Sequence, residues 1–458
     1  MLRRVQLVAL AVAMGGYGCG DDGRTSSPDA AVIPDGSTTD TGMGDADAAP
    51  IRSGLLSDAP LSFPQVYAAV TAQAQGSTET RPWIPTDLDM GTDGALWVIQ
   101  RMNRLPQFTD ATECTMRSNT PGVEDDCFGI QGSTVTITDP QLAEPATEAN
   151  GRARLIVDGN SWHFMRRPAG IAFGLAETTI PIGDPGTLSR DGTPLVQDTM
   201  TYAHVFATCH EHETANFTDD LPFIGPSLWT GDFSVYNGEA PFAWSNGSHL
   251  DMVHATQHCM GIAWERDNIY WLINGMEGTL DRYDFRVAHL PGHFYHEDAE
   301  IKRWLWDADR IARVQDVPSG LEIAGTQLLI ADTGNGRILS VDISNEPPEQ
   351  GNFRSFENLP ATIHRNPTTL EFADNGTLSA LWGGTPQPSG LTVFNDEAVI
   401  VADYATGNIS IFELEGGAEI RTVDTGLGAG IGGLAVMNGT VYFTHMETRG
   451  VYRIDVQN

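Results

Sequence analysis

Four histidines and one aspartate crowd into two short stretches. These are Cys209-His210-Glu211-His212-Glu213 and Ser248-His249-Leu250-Asp251-Met252-Val253-His254, with His258 four residues further on. Neutral imidazole nitrogens and carboxylate oxygens are ligands for zinc and similar divalent ions. In an extended chain His210 and His212 point to one side, as do His249 and Asp251; in a short helix His254 and His258 share a face. Either geometry gathers three ligands, so His210, His212, His249, Asp251 and His254 form the candidate set for a divalent metal, zinc or calcium. A metal-bound water there would support hydrolysis or elimination, with Arg101 or Arg166 steadying an oxyanion. The stretch matches no established metal motif, and hydrogen-bonded polar lining is the competing role for the same residues. A second group, His289, His293, His296, Glu297 and Asp298, lies after the third strand of its repeat. It is expected on the opposite face, and joins the first group only if its loop folds over the rim.

Other chemistries find no support. No G-x-S-x-G elbow, phosphate-binding loop or H-E-x-x-H motif occurs. The chain of 458 residues carries 26 Lys+Arg against 60 Asp+Glu, a net charge of −34, which disfavours nucleic acid as a partner. Hydrophobic residues make up 41%, enough for a sizeable core, and 49 glycines with 26 prolines favour short strands joined by turns.

The elements that would position these groups repeat. Pro318-Ser319-Gly320-Leu321 leads to Leu329-Ile330-Ala331-Asp332 and then Gly336-Arg337-Ile338; Pro388-Ser389-Gly390-Leu391 leads to Ile400-Val401-Ala402-Asp403 and then Gly407-Asn408-Ile409. Similar pairs start at Gly433, Gly261 and Asp87, ending at His445, Asn274 and Gln100, always twelve or thirteen residues later. A sixth begins at Pro168-Ala169-Gly170-Ile171, its second strand delayed by an insertion. Each unit reads as short antiparallel strands that cannot bury both faces alone, and stacking around an axis solves this. The expected fold is all-β, a six-bladed β-propeller of four-stranded antiparallel blades with long insertions at about 104–160, 174–202, 213–246 and 286–299. An open sandwich of repeated hairpins is the competing architecture. The last strand, 451–456, lacks an outer partner, so the segment around 65–71 is expected to complete the final blade and remove the open edge.

The run P-S-G-L followed by I-A-D-T-G-N-G-R-I, Pro318 to Ile338, resembles the NHL-repeat class of six-bladed propellers, over roughly Trp83 to Asn458. In the resembling amidating lyases, three histidines just before the inner strands hold zinc. The matching positions here are Thr86, Ala169, Met260, Ser319, Ser389 and Gly432, none of them histidine, which disfavours that chemistry. Propellers resembling gluconolactonases hold calcium through carboxylates and asparagine, a ring that Asn274, Asp332 and Asp403, with Glu322, would mimic.

In a propeller, the loops leading into the inner strands and those leaving the second strands share one face, and His249, Asp251, His254 and His258 are expected in the loop into the third unit. Arg101, Arg166, Asn274, Asp332, Asp403 and His445 are therefore candidate ligand contacts around the axial mouth, for a small molecule, glycan or peptide. Cys209 and Cys259 fall in adjacent units on that face and are expected to pair, while Cys114 and Cys127 would close their own Pro-Gly loop.

The amino terminus sets the compartment. Arg3 and Arg4 precede an apolar run, Val5 to Met14, and small residues lead to Cys19, the order of an export signal. It resembles a bacterial lipoprotein signal, with residues 1–18 removed and Cys19 lipidated; Gly16 departs from the usual aliphatic residue there. Residues 19–53, rich in Asp, Thr and Ala, read as a disordered tether, and 54–458 as one propeller domain. The expectation is a monomer in the cell envelope, held to a membrane through its N-terminal lipid only.

Overall fold

The computed structural model describes residues 54–73, 80–102, 131–182, 198–214, 223–236, 247–293, 296 and 298–457. Cys19, Cys114 and Cys127 lie outside them, as does the leader. Six antiparallel sheets form a closed six-bladed propeller. The inner strands, in order of blades 1 to 6, are Thr80–Met90, Pro168–Phe173, Cys259–Arg266, Leu321–Ala324, Pro388–Phe394 and Ile431–Met437, and each packs on the next around the ring.

Apolar strands flanked by two neighbours explain the stacking. In blade 5 every residue of Ala398–Asp403 is buried. Ile400 and Ala402 face the core shared with blade 6, while Val399 and Val401 face the core shared with blade 4. The two-residue strand period thus divides one apolar run between two interfaces. Clusters of this kind fill all six junctions, including that between blades 6 and 1, where Val98 and Val135 meet Tyr442 and Val451.

The repeated small residues mark where inner strands approach one another. A Cβ on Gly261 would lie 1.8 Å from the Ser319 carbonyl oxygen, so only glycine fits. Hydroxyls one residue earlier stitch the ring: Ser389 Oγ donates to the Ile431 carbonyl at 2.7 Å, and Thr86 Oγ1 to the Pro168 carbonyl at 3.2 Å.

Closure follows the anticipated route. Gln65–Ala68 pairs antiparallel with Gly450–Arg453 and becomes the outer strand of blade 6. In blade 1 the third and fourth strands, Gly132–Ile137 and Ala153–Ile156, fall within the long 104–160 segment. Blade 2 ends in a very short outer strand, Asp251–Met252, so residues 249–252 belong to its outer edge rather than to the loop entering blade 3. Blade 3 is widened: its fourth strand, Glu300–Leu305, pairs in parallel with Ala361–Arg365, which carries Glu349–Asn352 as a hairpin partner. Among the described residues no helix is long and apolar enough to cross a membrane.

Candidate metal centre and axial mouth

The histidine-rich stretches divide between two places. At the outer edge of blade 2, His249 precedes the short strand Asp251–Met252, and the loop after blade 3's third strand folds back onto it. The His289 amide donates to the Leu250 carbonyl and the Gly292 amide to the His249 carbonyl, each at 2.8 Å. The loop therefore does cross to the first cluster. The ligand atoms of His249, His289 and His296 all lie within 4.8 Å of one another. A tetrahedral zinc site, with bonds of about 2.0–2.1 Å, needs nitrogens roughly 3.4 Å apart, so an ion would draw the three together by about 1 Å.

Their surroundings prepare them for ligation. The His289 Nδ1–H donates to the Leu290 carbonyl at 2.6 Å, and the His296 Nδ1–H to Asp251 Oδ1 at 2.7 Å. Neighbouring His254 bonds through Nδ1 to Glu357, which comes from the hairpin attached to blade 3. Anchoring Nδ1 to an oxygen leaves Nε2 with its lone pair, the arrangement that orients metal-bound histidines. Among the described residues, His254 Nε2, His289 Nε2 and Asp251 Oδ2 are buried with no hydrogen-bond partner. Phe164 stacks on His249 at 3.5 Å and Phe223 on His254 at 4.0 Å, fixing both rings.

Burial holds the imidazoles neutral. His289 lies well below the usual histidine range and His254 is also lowered, in both cases chiefly by desolvation; for His254 the Glu357 carboxylate opposes the effect. Burial raises Asp251 to about 6, against the pull of His296. Neutral imidazole is the form that ligates metal.

Of the residues singled out from sequence, His249, Asp251 and His254 meet here. His210 is buried nearby, its Nε2 3.2 Å from Thr208 Oγ1, with burial pushing it down to about 3. His212 turns toward the axis, 3.4 Å from Arg166 Nη2, and lines a small crevice with His258. Nothing in the local sequence of Glu357 marks it as a member of this group. His296 and His289 were visible as a cluster, but not the direction of their loop.

The second place is the axial mouth. Glu211 sits there almost fully buried, 2.7 Å from Arg101 Nη1, 3.5 Å from Arg167 Nη2 and 3.3 Å from Arg313 Nη1. Asp316 reaches two of these guanidiniums: its carboxylate lies 3.4 Å from Arg101 Nη2 and closer to Arg167, and its backbone carbonyl accepts from Arg101 Nη2 at 2.7 Å. The Cys209–Cys259 disulfide, with Cα atoms 5.5 Å apart, joins blades 2 and 3 beside this mouth. That pairing is as expected. Arg166 is fully buried behind it.

The other strand-end residues have local work. Asp332 accepts from the Ala312 amide at 2.8 Å and from Arg337 Nε at 2.7 Å. Asp403 accepts from the Gln387 amide at 2.6 Å and the Thr406 hydroxyl at 2.6 Å. Asn274 caps the amides of Met276 and Glu277, and His445 Nδ1 that of Thr448. Each ties the turn after its second strand, and the two aspartates also tie the segment leading into their own blade.

At the far end of the inner strands the wheel encloses an axial cavity of about 480 Å³, lined by strands of all six blades. Asp87, Asp89 and Glu322 face it. Burial raises them to about 7, about 6 and about 8, and for Glu322 the charges of Asp89 and Asp87 add to the effect. Asp87 and Asp89 each accept an amide hydrogen from blade 2, at Ile171 and Phe173.

No family model matches the chain, and no curated protein does. Among solved structures it is similar to a streptogramin B lyase, at 9% identity and TM-score 0.41 over 87% of this chain and 98% of that one. It is also similar to an auxiliary nutrient binding protein from Bacteroides thetaiotaomicron, at 11% identity and TM-score 0.44 over 87% and 77%. A third is a nidogen/laminin complex, at 11% identity and TM-score 0.39 over 82% and 97%. Likenesses this distant say nothing about chemistry.

Proposed function

We propose that the protein is an exported, lipid-anchored propeller of the NHL-like kind that holds a divalent transition metal at the outer edge of blade 2. Its axial mouth is the face that receives a small molecule, glycan or peptide. The observation carrying the metal reading is the convergence of His249, His289 and His296, two of them anchored through Nδ1. Imidazole donors suit zinc better than calcium. The metal fastens rather than hydrolyses: His249 and His289 are fully buried and His296 is only 12% exposed, leaving little room for a substrate. Export is supported by the leader and by the disulfide, which belongs to an oxidising compartment.

The test is metal analysis of the mature chain, expressed with zinc and purified without chelator. One metal per chain is expected, lost in His289→Ala and His296→Ala, with a lower Tm after EDTA. A metal-free protein whose Tm ignores EDTA would end the proposal. The ligand face is tested separately, by a thermal-shift screen of sugars, peptides and small acids. Hits should weaken in Glu447→Ala or Arg449→Ala at the exposed rim of the mouth; a hit indifferent to both places the ligand elsewhere.

A further inference from the structure

The arginines of the axial mouth are arranged for more than structural pairing. Arg101 and Arg167 have side chains only 5% and 4% exposed, yet both point to Asp316, whose side chain is 51% exposed. Behind them Glu211, 2% exposed, is the permanent counterion, and it also accepts the Asp316 amide at 2.7 Å. With Arg313 and the rim residue Arg449, four guanidiniums meet the carboxylates of Glu211, Asp316 and Glu447, so this group is net positive in a chain of net charge −34. Arg167 Nε is buried without a partner.

The local backbone and a neighbouring cavity also bear on this pair. Arg167 and Asp316 both hold left-handed backbone, at φ +43° and +67°. Non-glycine residues keep that conformation where the surroundings enforce it, often at ligand sites. A cavity of about 220 Å³ opens directly onto the two arginines and Asp316, with Tyr404, Met446, Glu447 and Arg449 across it.

We propose that the Arg101–Arg167 pair is the receptor for an oxyanion, a carboxylate or phosphate borne by a small ligand, and that the Asp316 carboxylate occupies its place until the ligand displaces it. Paired guanidiniums match such groups in geometry and charge. Glu211 keeps the forks aligned through the exchange, so the mouth need not rebuild itself around the incoming group. The proposal rests on the reading of this mouth as the ligand face and names the chemistry of its ligand.

Isothermal titration of the full mature chain with sodium succinate and with sodium phosphate, against sodium chloride at equal ionic strength, tests it. Removing the internal carboxylate raises the binding-competent fraction, so Asp316→Asn should bind at least one anion about tenfold more tightly than the wild type. Asp316→Glu should bind no more tightly. Asp316→Ser repeats the removal by a second route, should Asn disturb the loop. Binding of succinate alone marks a carboxylate ligand, and of phosphate alone a phosphate ester. If neither Asp316→Asn nor Asp316→Ser gains affinity for either anion, the assignment is wrong. The rim-variant screen then still decides whether the mouth binds anything.

Discussion

Reducing the bond between Cys209 and Cys259 should cost the fold about as much as a small domain's whole margin. The two residues are 50 apart in sequence. Closing a loop of that length removes about 14 cal/mol/K from the unfolded chain, or about 4 kcal/mol at 25 °C. Both sulfurs are fully buried in the core between blades 2 and 3, so reduction leaves packing in place and isolates the cross-link. The assay is urea unfolding of the wild type with and without dithiothreitol, beside Cys209→Ala/Cys259→Ala under the same two conditions. The oxidised wild type should unfold at clearly higher urea than the reduced. The double variant should sit below the reduced wild type, having also lost two buried sulfurs, and should ignore dithiothreitol. Equal sensitivity of both proteins would transfer the effect to Cys114 and Cys127, and an unmoved wild type would refute the loop-entropy reasoning.

Deleting residues up to Ala68 removes the strand that covers Gly450–Arg453, so a lower Tm and self-association by light scattering are expected; a monomer of unchanged Tm would show that the seam closes without it. The raised values of Asp87, Asp89 and Glu322 mean that the folded chain keeps protons the unfolded chain has released. Their contribution is complete below about pH 4 and fades as pH climbs through 6 to 8, so Tm should fall from pH 5 to 9, less so in Glu322→Gln. A Tm that rises over this range contradicts the assignment. Gly261→Ala should destabilise by about 1–3 kcal/mol or more, because the added carbon would meet the Ser319 carbonyl. By contrast, Gly376→Ala, in the helix Asn375–Trp382 with its nearest contact at 3.5 Å, should stabilise by about 0.5–1 kcal/mol. Chemical denaturation of the pair checks both signs.

The wheel was readable because its signals are local and repeated. Gly320 and Gly390 recur for a steric reason, and the apolar run at Ala398–Asp403 needs only its own periodicity. The seam at Gln65–Ala68 followed from a missing strand, and the Cys209–Cys259 pair from two loops sharing a face. The metal centre was only half readable. The outer strand Asp251–Met252 spans two residues, too few for any pattern, so sequence alone leaves the preceding His249 in the loop into blade 3. Glu357 depends on a parallel pairing between Glu300–Leu305 and Ala361–Arg365, set by docking rather than by neighbouring residues. Polar residues at strand ends, such as Asp332 and Asp403, announce themselves, but not that nearby amides already claim their oxygens.

Glu357 follows its partner His254 by 103 residues and reaches it on a hairpin launched from the fourth blade. A chain threading out amino end first would thus present the histidines long before the carboxylate that steadies one of them. An ion captured by His249, His289 and His296 would register that the second and third blades have already docked, while the hairpin from the fourth adds its own tie through His254, so the metal would serve as a late inspection of that junction rather than as its seed.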